Sequence, residues 1–276
     1  MEFETLRYEK NDHVATITLN RPDRQNALNG QLHRELWAVW NDFRFDGESW
    51  VAILTGAGES FCAGEDLEEI AEALRRDEVP ERYREPRDGR CWGYRYEHYR
   101  RRKLNVWKPV IVAVNGPCSG TGLVLVGQGD VILASETATF SLPEVSLGLV
   151  PVEEALYLAD RMPLGAVLRL ALLGEAEVLT ANRAHELALV SEVLPADALL
   201  ERARTIAATI NDQAGDAVRA MATTMHARRD LGYDDSLVLG YEYHERFENV
   251  ENMLEGPRAF TEKRKPAWTI RPPRMG

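Results

Sequence analysis

Cysteine is scarce in this chain. It has three in 276 residues, Cys62, Cys91 and Cys118, an odd count whose spacing matches neither a zinc site nor a disulfide framework. Reduced thiols in a cytoplasmic protein are the expectation, with no metal site. No apolar run reaches the length of a membrane span. Met1–Glu9 is charged where a secretory signal would be apolar. No internal repeat or low-complexity tract is present. Positive charge is in deficit, with a net charge of −11, which argues against nucleic acid and anionic membranes as partners but leaves room for a local phosphate site. One segment runs against this balance: Arg75–Lys103 holds ten arginines interleaved with Trp92 and tyrosines. It reads as a solvated loop and helix, or as a lid over a pocket.

Apolar strand runs are followed by small residues. Val51–Thr55 is one such run and Val110–Val114 another. Gly56–Ser60 and Asn115–Gly122 break them. Phe61–Leu67 and Leu123–Val126 then lead into helices. His13–Leu19 alternates like a half-buried strand, and Asn26–Phe43 carries Leu28, Leu32, Leu36, Trp37 and Trp40 at helical spacing. Repeated strand–turn–helix units predict a mostly parallel sheet covered by helices. After Pro151 the chain reads as helical, with a short closing strand at Leu189–Pro195 and a boundary near Pro195–Leu199. Backbone amides at the two small-residue turns face whatever precedes their helices. Glu144 lies in an otherwise apolar stretch, Phe140–Pro151. Free amides beside a poorly solvated carboxylate polarise a carbonyl and move a neighbouring proton.

The stretches FCAGEDLEE (Phe61–Glu69), AVNGPCSGTG (Ala113–Gly122) and FSLPEVSLGLVP (Phe140–Pro151) resemble the signatures of the enoyl-CoA hydratase/isomerase family, the crotonases. LNRPDRQNALN (Leu19–Asn29) and EGPRAFTEKRKPAW (Glu255–Trp268) resemble its CoA-side motif and its C-terminal tail. The resemblance implies an α/β fold with a crotonase-like β-spiral core of repeated strand–helix units over residues 1–197 and a helical C-terminal trimerisation region over 198–276. It implies an acyl-CoA thioester as substrate, with no other cofactor. The backbone N–H groups of Ala63 and Thr121 would form an oxyanion hole, with Glu144 as acid and base. Arg21, Arg24, Ala27, Cys62, Gly64, Asp66, Leu67, Gly120 and Val124 would line the substrate and CoA site. Phe260 and Lys263 would approach the CoA of a neighbouring subunit in a homotrimer or a dimer of trimers.

The chain departs from the family pattern at three places. Thr121 stands where glycine is usual, Val124 where hydratases carry a first glutamate, and Glu153-Glu154 where a glycine-rich run follows the proline. A lone glutamate suffices to take a proton from one carbon and return it to another, so Val124 favours double-bond isomerisation while hydration stays open. Glu153 and Glu154 read as first-turn carboxylates complementing a helix dipole, or as a replacement acid; Asp66 reads as a helix cap. Two other functions are weighed. Gly116-Pro117-Cys118-Ser119-Gly120 has the form of a nucleophile turn, which would make Cys118 the nucleophile of an α/β-hydrolase-like thiol hydrolase. A non-catalytic CoA-ligand-binding protein is the third reading.

Overall fold

The computed structural model describes residues 2–76 and 106–269. Apart from Arg75 and Arg76, the arginine-rich segment lies outside the described residues, as does Cys91. The β-branched runs form a six-stranded sheet from β1 (Leu6–Asn11), β2 (Val14–Leu19), β3 (Val51–Gly56), β4 (Val110–Val114), β6 (Val131–Ser135) and β9 (Glu192–Leu194), in the order β1-β2-β3-β4-β6-β9. Only β1 runs antiparallel, against β2. β3 and β4 are buried along almost their whole length, as their unbroken apolar sequence requires of strands covered on both faces. β1 was not legible as a strand because only Leu6 is buried. Arg7, Glu9 and Lys10 along it are the charged kind that keep a sheet edge from pairing with another chain.

A second row of pairings accompanies the first. β5 (Cys118–Ser119) pairs parallel to β7 (Thr139–Ser141), which pairs antiparallel to β8 (Val178–Thr180). Single bridges join Leu28 to Glu65 and Cys62 to Cys118. Each central strand of the large sheet therefore hands the chain to a short stretch paired with the corresponding stretch of the next unit. That repetition is the spiral expected from the resemblance.

α1 (Gly30–Phe45) starts at Asn29, whose side chain accepts from Leu32 N at 2.9 Å, and buries Leu32, Leu36, Val39, Trp40 and Phe43. Trp37, grouped with them by spacing, is 44% exposed; it lies beside the buried stripe rather than on it. The carbonyls at the helix end are gathered by buried Lys108, whose ammonium donates to Phe43 O at 2.6 Å, to Ser49 O at 2.8 Å and to Asp46 O. Lys108→Met keeps the apolar stem but strands these carbonyls away from water. It should lower stability by about 2–4 kcal/mol, read as a denaturant midpoint shift with unchanged slope.

The first helix beyond the expected boundary at 197/198 still packs on the sheet. α7 (Leu199–Asn211) packs Leu199, Ala203 and Ala207 onto Val51, Ile53, Ile111, Ala113 and Leu133 of the large sheet. The alanines let helix and sheet approach closely, so α7 covers a face of the core. The helices beyond it are α8 (Gly215–Ala227), α9 (Tyr233–Phe247) and α10 (Val250–Glu262). They are tied by Asp216, which pairs with Arg219 and accepts from Asn249 Nδ2 at 2.9 Å.

Candidate active site

Two loops and one short turn converge on the site. The first loop follows β3. Two asparagines fix it: Asn26 Nδ2 donates to Ala57 O and Ser60 O at 2.9 and 2.8 Å, and Asn115 Nδ2 to Gly58 O at 2.9 Å, while Asn115 Oδ1 accepts from Gly56 N at 3.0 Å. Asn26 is fully buried with a left-handed backbone, φ 56°. Neither asparagine had been singled out; the only sequence signal was a polar residue inside each quoted motif. At Gly64, φ 89°, an added Cβ would sit 2.9 Å from Ser119 O and 3.3 Å from Thr121 N. The first loop touches the second only because that position is glycine.

Ala63 was expected to give one oxyanion-hole donor. Its N–H donates to the Gln25 carbonyl at 2.9 Å, a partner that sequence could not supply. Gln25 takes a left-handed conformation, φ 50°, which turns its carbonyl toward Ala63. A thioester oxygen using this amide must displace that bond. Arg21 is likewise engaged within the protein, donating to Asp66 Oδ2 at 2.9 Å and to Ala27 O at 2.5 Å. Arg24 reaches Glu68. Asp66 accepts from Glu69 N at 3.2 Å, the expected capping role, and Leu67, which opens α2 (Leu67–Arg75), is 48% exposed.

The second loop follows β4. Gly120 N donates to Ser141 O at 3.0 Å, tying the loop to β7. Gly120 has φ 53°, and a Cβ there would lie 2.5 Å from Glu144 Oε1. Thr121 has φ −57° and ψ −18°, an ordinary helical region, so its β-branch costs no backbone strain. Its N–H makes no hydrogen bond among the described residues, and it abuts the Gly64 backbone. The helix that follows, α3 (Gly122–Gly127), is only six residues long and wholly buried. What this loop leaves open is therefore the single amide of Thr121 rather than a helix dipole.

Glu144 begins a 3-10 turn, Glu144–Leu147, directly after β7. Its Oε2 is buried without a hydrogen-bond partner. Burial pushes the carboxyl up to about 7, its own backbone N–H opposes this, and the charge of Glu154 adds to the rise. Such a group exchanges a proton readily near neutrality. Val124 is fully buried on α3 within the apolar core and offers no proton-transfer group. Glu154 is different. It lies in the first turn of α4 (Val152–Ala159), yet it is only 6% exposed, and Oε1 accepts from Thr121 Oγ1 at 3.3 Å. Its first-turn position is the one expected of a carboxylate complementing the helix dipole, but the side chain is turned inward. Glu153 beside it is half-buried.

The nucleophile reading of Cys118 loses its chemistry. Burial pushes the Cys118 thiol well above its usual range and the Cys62 thiol up to about 12. An activated thiol needs the opposite shift, and no hydrogen bond joins Cys118 to a histidine among the described residues. At the far end of the chain, Phe260 is 87% exposed. Lys263 caps α10 in a left-handed conformation, φ 53°. Neither meets Glu144 within this single chain. Among the described residues no group of three or more His, Cys, Asp or Glu could hold a metal ion.

Known proteins place this geometry. Residues 9–271 match the family model described as enoyl-CoA hydratase/isomerase. A mevalonyl-coenzyme A hydratase of Aspergillus fumigatus is 35% identical, the match covering 93% of this chain and 91% of that protein. A 1,2-epoxyphenylacetyl-CoA isomerase of Escherichia coli is 32% identical, over 98% and 99% of the two chains. The crystal structure of an enoyl-CoA hydratase/isomerase from Mycobacterium paratuberculosis superposes with a TM-score of 0.84 at 37% identity, covering 98% of this chain and all of that one. With a family model spanning nearly its whole length and relatives above 30% identity over almost every residue, the chain belongs to the enoyl-CoA hydratase/isomerase family.

Proposed function

We propose that this protein is an enoyl-CoA hydratase or isomerase acting on an acyl-CoA thioester. The observation that carries the reading is the position of Glu144. Its carboxyl, held near neutrality in its acidity, stands over Gly120, next to the Thr121 amide. A thioester oxygen at that amide is polarised as negative charge develops on it, which lowers the barrier to enolate formation. Glu144 moves the proton at the adjacent carbons. No redox step is involved, and the thioester itself is the only CoA compound required.

The test is a panel of short, branched and aromatic enoyl-CoAs in deuterated water. Hydration, double-bond migration and α-carbon exchange are followed together. Reaction on at least one thioester is the expected result; none on any thioester, with the fold intact, overturns the reading.

The same reading places the protein in the cytoplasm, in keeping with the free thiols of Cys62 and Cys118. Among the described residues no helix is long and apolar enough to cross a membrane. It also makes the protein a homotrimer or a dimer of trimers. Two apolar surfaces support assembly: Leu149, Val150 and Leu156 around α4, and Met225, Val238 and Tyr241 on α8 and α9, each at least 48% exposed. Patches of this kind mark protein contacts. Light scattering should find a trimer or hexamer. Phe260→Ala should raise KM for CoA esters severalfold, while the melting temperature of the chain barely moves, because so exposed a side chain contributes little to the fold. An active monomer with an unchanged KM in that variant would remove the assembly proposal.

A further inference from the structure

Adding water across a double bond moves two protons, one off the water and one onto carbon, and a separate group for each eases the step. The apolar side chain of Val124 leaves α3 without a candidate for the first. Glu154 stands in a place that fits. It is buried, it comes from α4 rather than α3, and it is fixed to the residue that also presents the free amide: Thr121 gives its hydroxyl to Glu154 Oε1 at 3.3 Å. Glu144 Oε1 lies over the preceding residue, Gly120. The two carboxylates thus meet consecutive residues of one loop, Gly120 and Thr121. Carboxylates are seldom buried beside one another without function, because each disfavours ionisation of its neighbour. The charge of Glu154 adds to the rise that burial gives Glu144.

We propose that Glu154 is the second acid–base group of this site, receiving the proton from the attacking water while Glu144 serves the α-carbon, and that Thr121 is its positioning residue. The inference rests on the acyl-CoA reading above. In hydration, the Glu154 carboxylate takes a proton from water as the oxygen–Cβ bond forms. The double-bond electrons move onto the thioester oxygen. They return as the Glu144 O–H bond breaks and its proton joins Cα. The product is a β-hydroxyacyl thioester. Glu154 then holds the proton that Glu144 has lost, and transfer of one proton between them resets the pair. Isomerisation needs only Glu144, which removes a proton from one carbon and returns it to another. Glu154 therefore determines whether water is added, and Thr121, by holding it, shares in that choice.

The experiment measures hydration and double-bond migration of the same enoyl-CoA in deuterated water for the wild type and the variants Glu154→Gln, Glu154→Asp, Glu154→Ala, Thr121→Val and Glu144→Gln. Glu154→Gln should lower hydration kcat by about 10²-fold or more, while migration falls by less than about tenfold. Thr121→Val keeps the amide but loses the hydroxyl, and should lower hydration by about tenfold with the same bias. Glu154→Asp should retain more hydration than Glu154→Gln, and added formate should restore part of the hydration lost in Glu154→Ala. Glu144→Gln should lose both reactions. Hydration within about threefold of wild type in Glu154→Gln overturns the proposal while leaving the family reading intact. So does an equal fall in both reactions with no restoration by formate, which marks a packing role. A wild type inactive on every thioester overturns both.

Discussion

Replacing Glu144 by glutamine is expected to lower turnover on an enoyl-CoA by about 10²-fold or more. Glutamine preserves the shape of the side chain and cannot exchange a proton, so the loss isolates the chemistry from the packing. Near-normal turnover in a folded Glu144→Gln protein would rule the mechanism out. The same substitution has a second signature, in stability. The folded carboxyl titrates at about 7, above its ordinary value of 4.5, chiefly because it is buried. Between those values the native protein keeps a proton that the unfolded chain has released. The stability linked to Glu144 is therefore whole below the unfolded value and is lost as pH rises through about 7. Glutamine does not titrate. Relative to wild type, the variant should melt higher at about pH 8 than at about pH 4, a gain of stability bought with activity. A melting difference independent of pH would show that Glu144 is not held in its neutral form.

Gly120→Ala is expected to be nearly as damaging, for a steric reason. The residue has φ 53°, where a side chain is strained, and its Cβ would come within 2.5 Å of Glu144 Oε1. The Glu144 carboxylate must swing away, or the loop must shift and pull the Thr121 amide with it. Either movement separates the proton carrier from the carbonyl-binding amide, and a displacement of about 1 Å costs about 10²-fold in rate. The strain should also lower stability by about 1 kcal/mol or more. Kinetics beside a thermal melt would check this; unchanged kcat would mean that the loop does not position the reacting groups. Gly122 is constrained for a different reason. A Cβ there would meet Cys62 O at 2.8 Å and Cys118 Sγ at 3.1 Å, so its substitution should loosen the packing of the two loops.

How far the sequence could be read depended on how local the cause was. β3 and β4 were legible because burial on both faces demands a continuous apolar run. Glu144 stood out because it was a lone acid in such surroundings, and its raised acidity value follows from that isolation. The spiral was not legible from periodicity; it depends on which strand ends meet, as at the Cys62–Cys118 bridge, and only the resemblance pointed to it. Glu154 was left with two readings for an instructive reason. An acid in a first helical turn normally faces water, and nothing within Val152–Ala159 tells that this turn is aimed at Thr121. The sheet contact of α7 was not legible because its buried face is made of two alanines and a leucine, a weak stripe in sequence and a close contact in space. Ala63 depended on a backbone carbonyl 38 positions earlier in the chain, a partner that no side-chain pattern reports.

That last contact bears on affinity. Ala63 N–H already holds a carbonyl oxygen, from Gln25, so on the acyl-CoA reading a thioester that is to use this amide beside that of Thr121 meets an internal competitor for it. Binding of a thioester is then an exchange of one carbonyl for another, with little net gain in hydrogen bonding from that amide. The apparent dissociation constant is the intrinsic one divided by the fraction of molecules in which the Gln25 carbonyl has released Ala63. The exchange also sets a threshold of selectivity. A ligand lacking a well-placed carbonyl cannot dislodge the turn and meets only the Thr121 amide. Free CoA, which has no thioester oxygen, falls in that class, and the returning Gln25 carbonyl would help to clear it from the site.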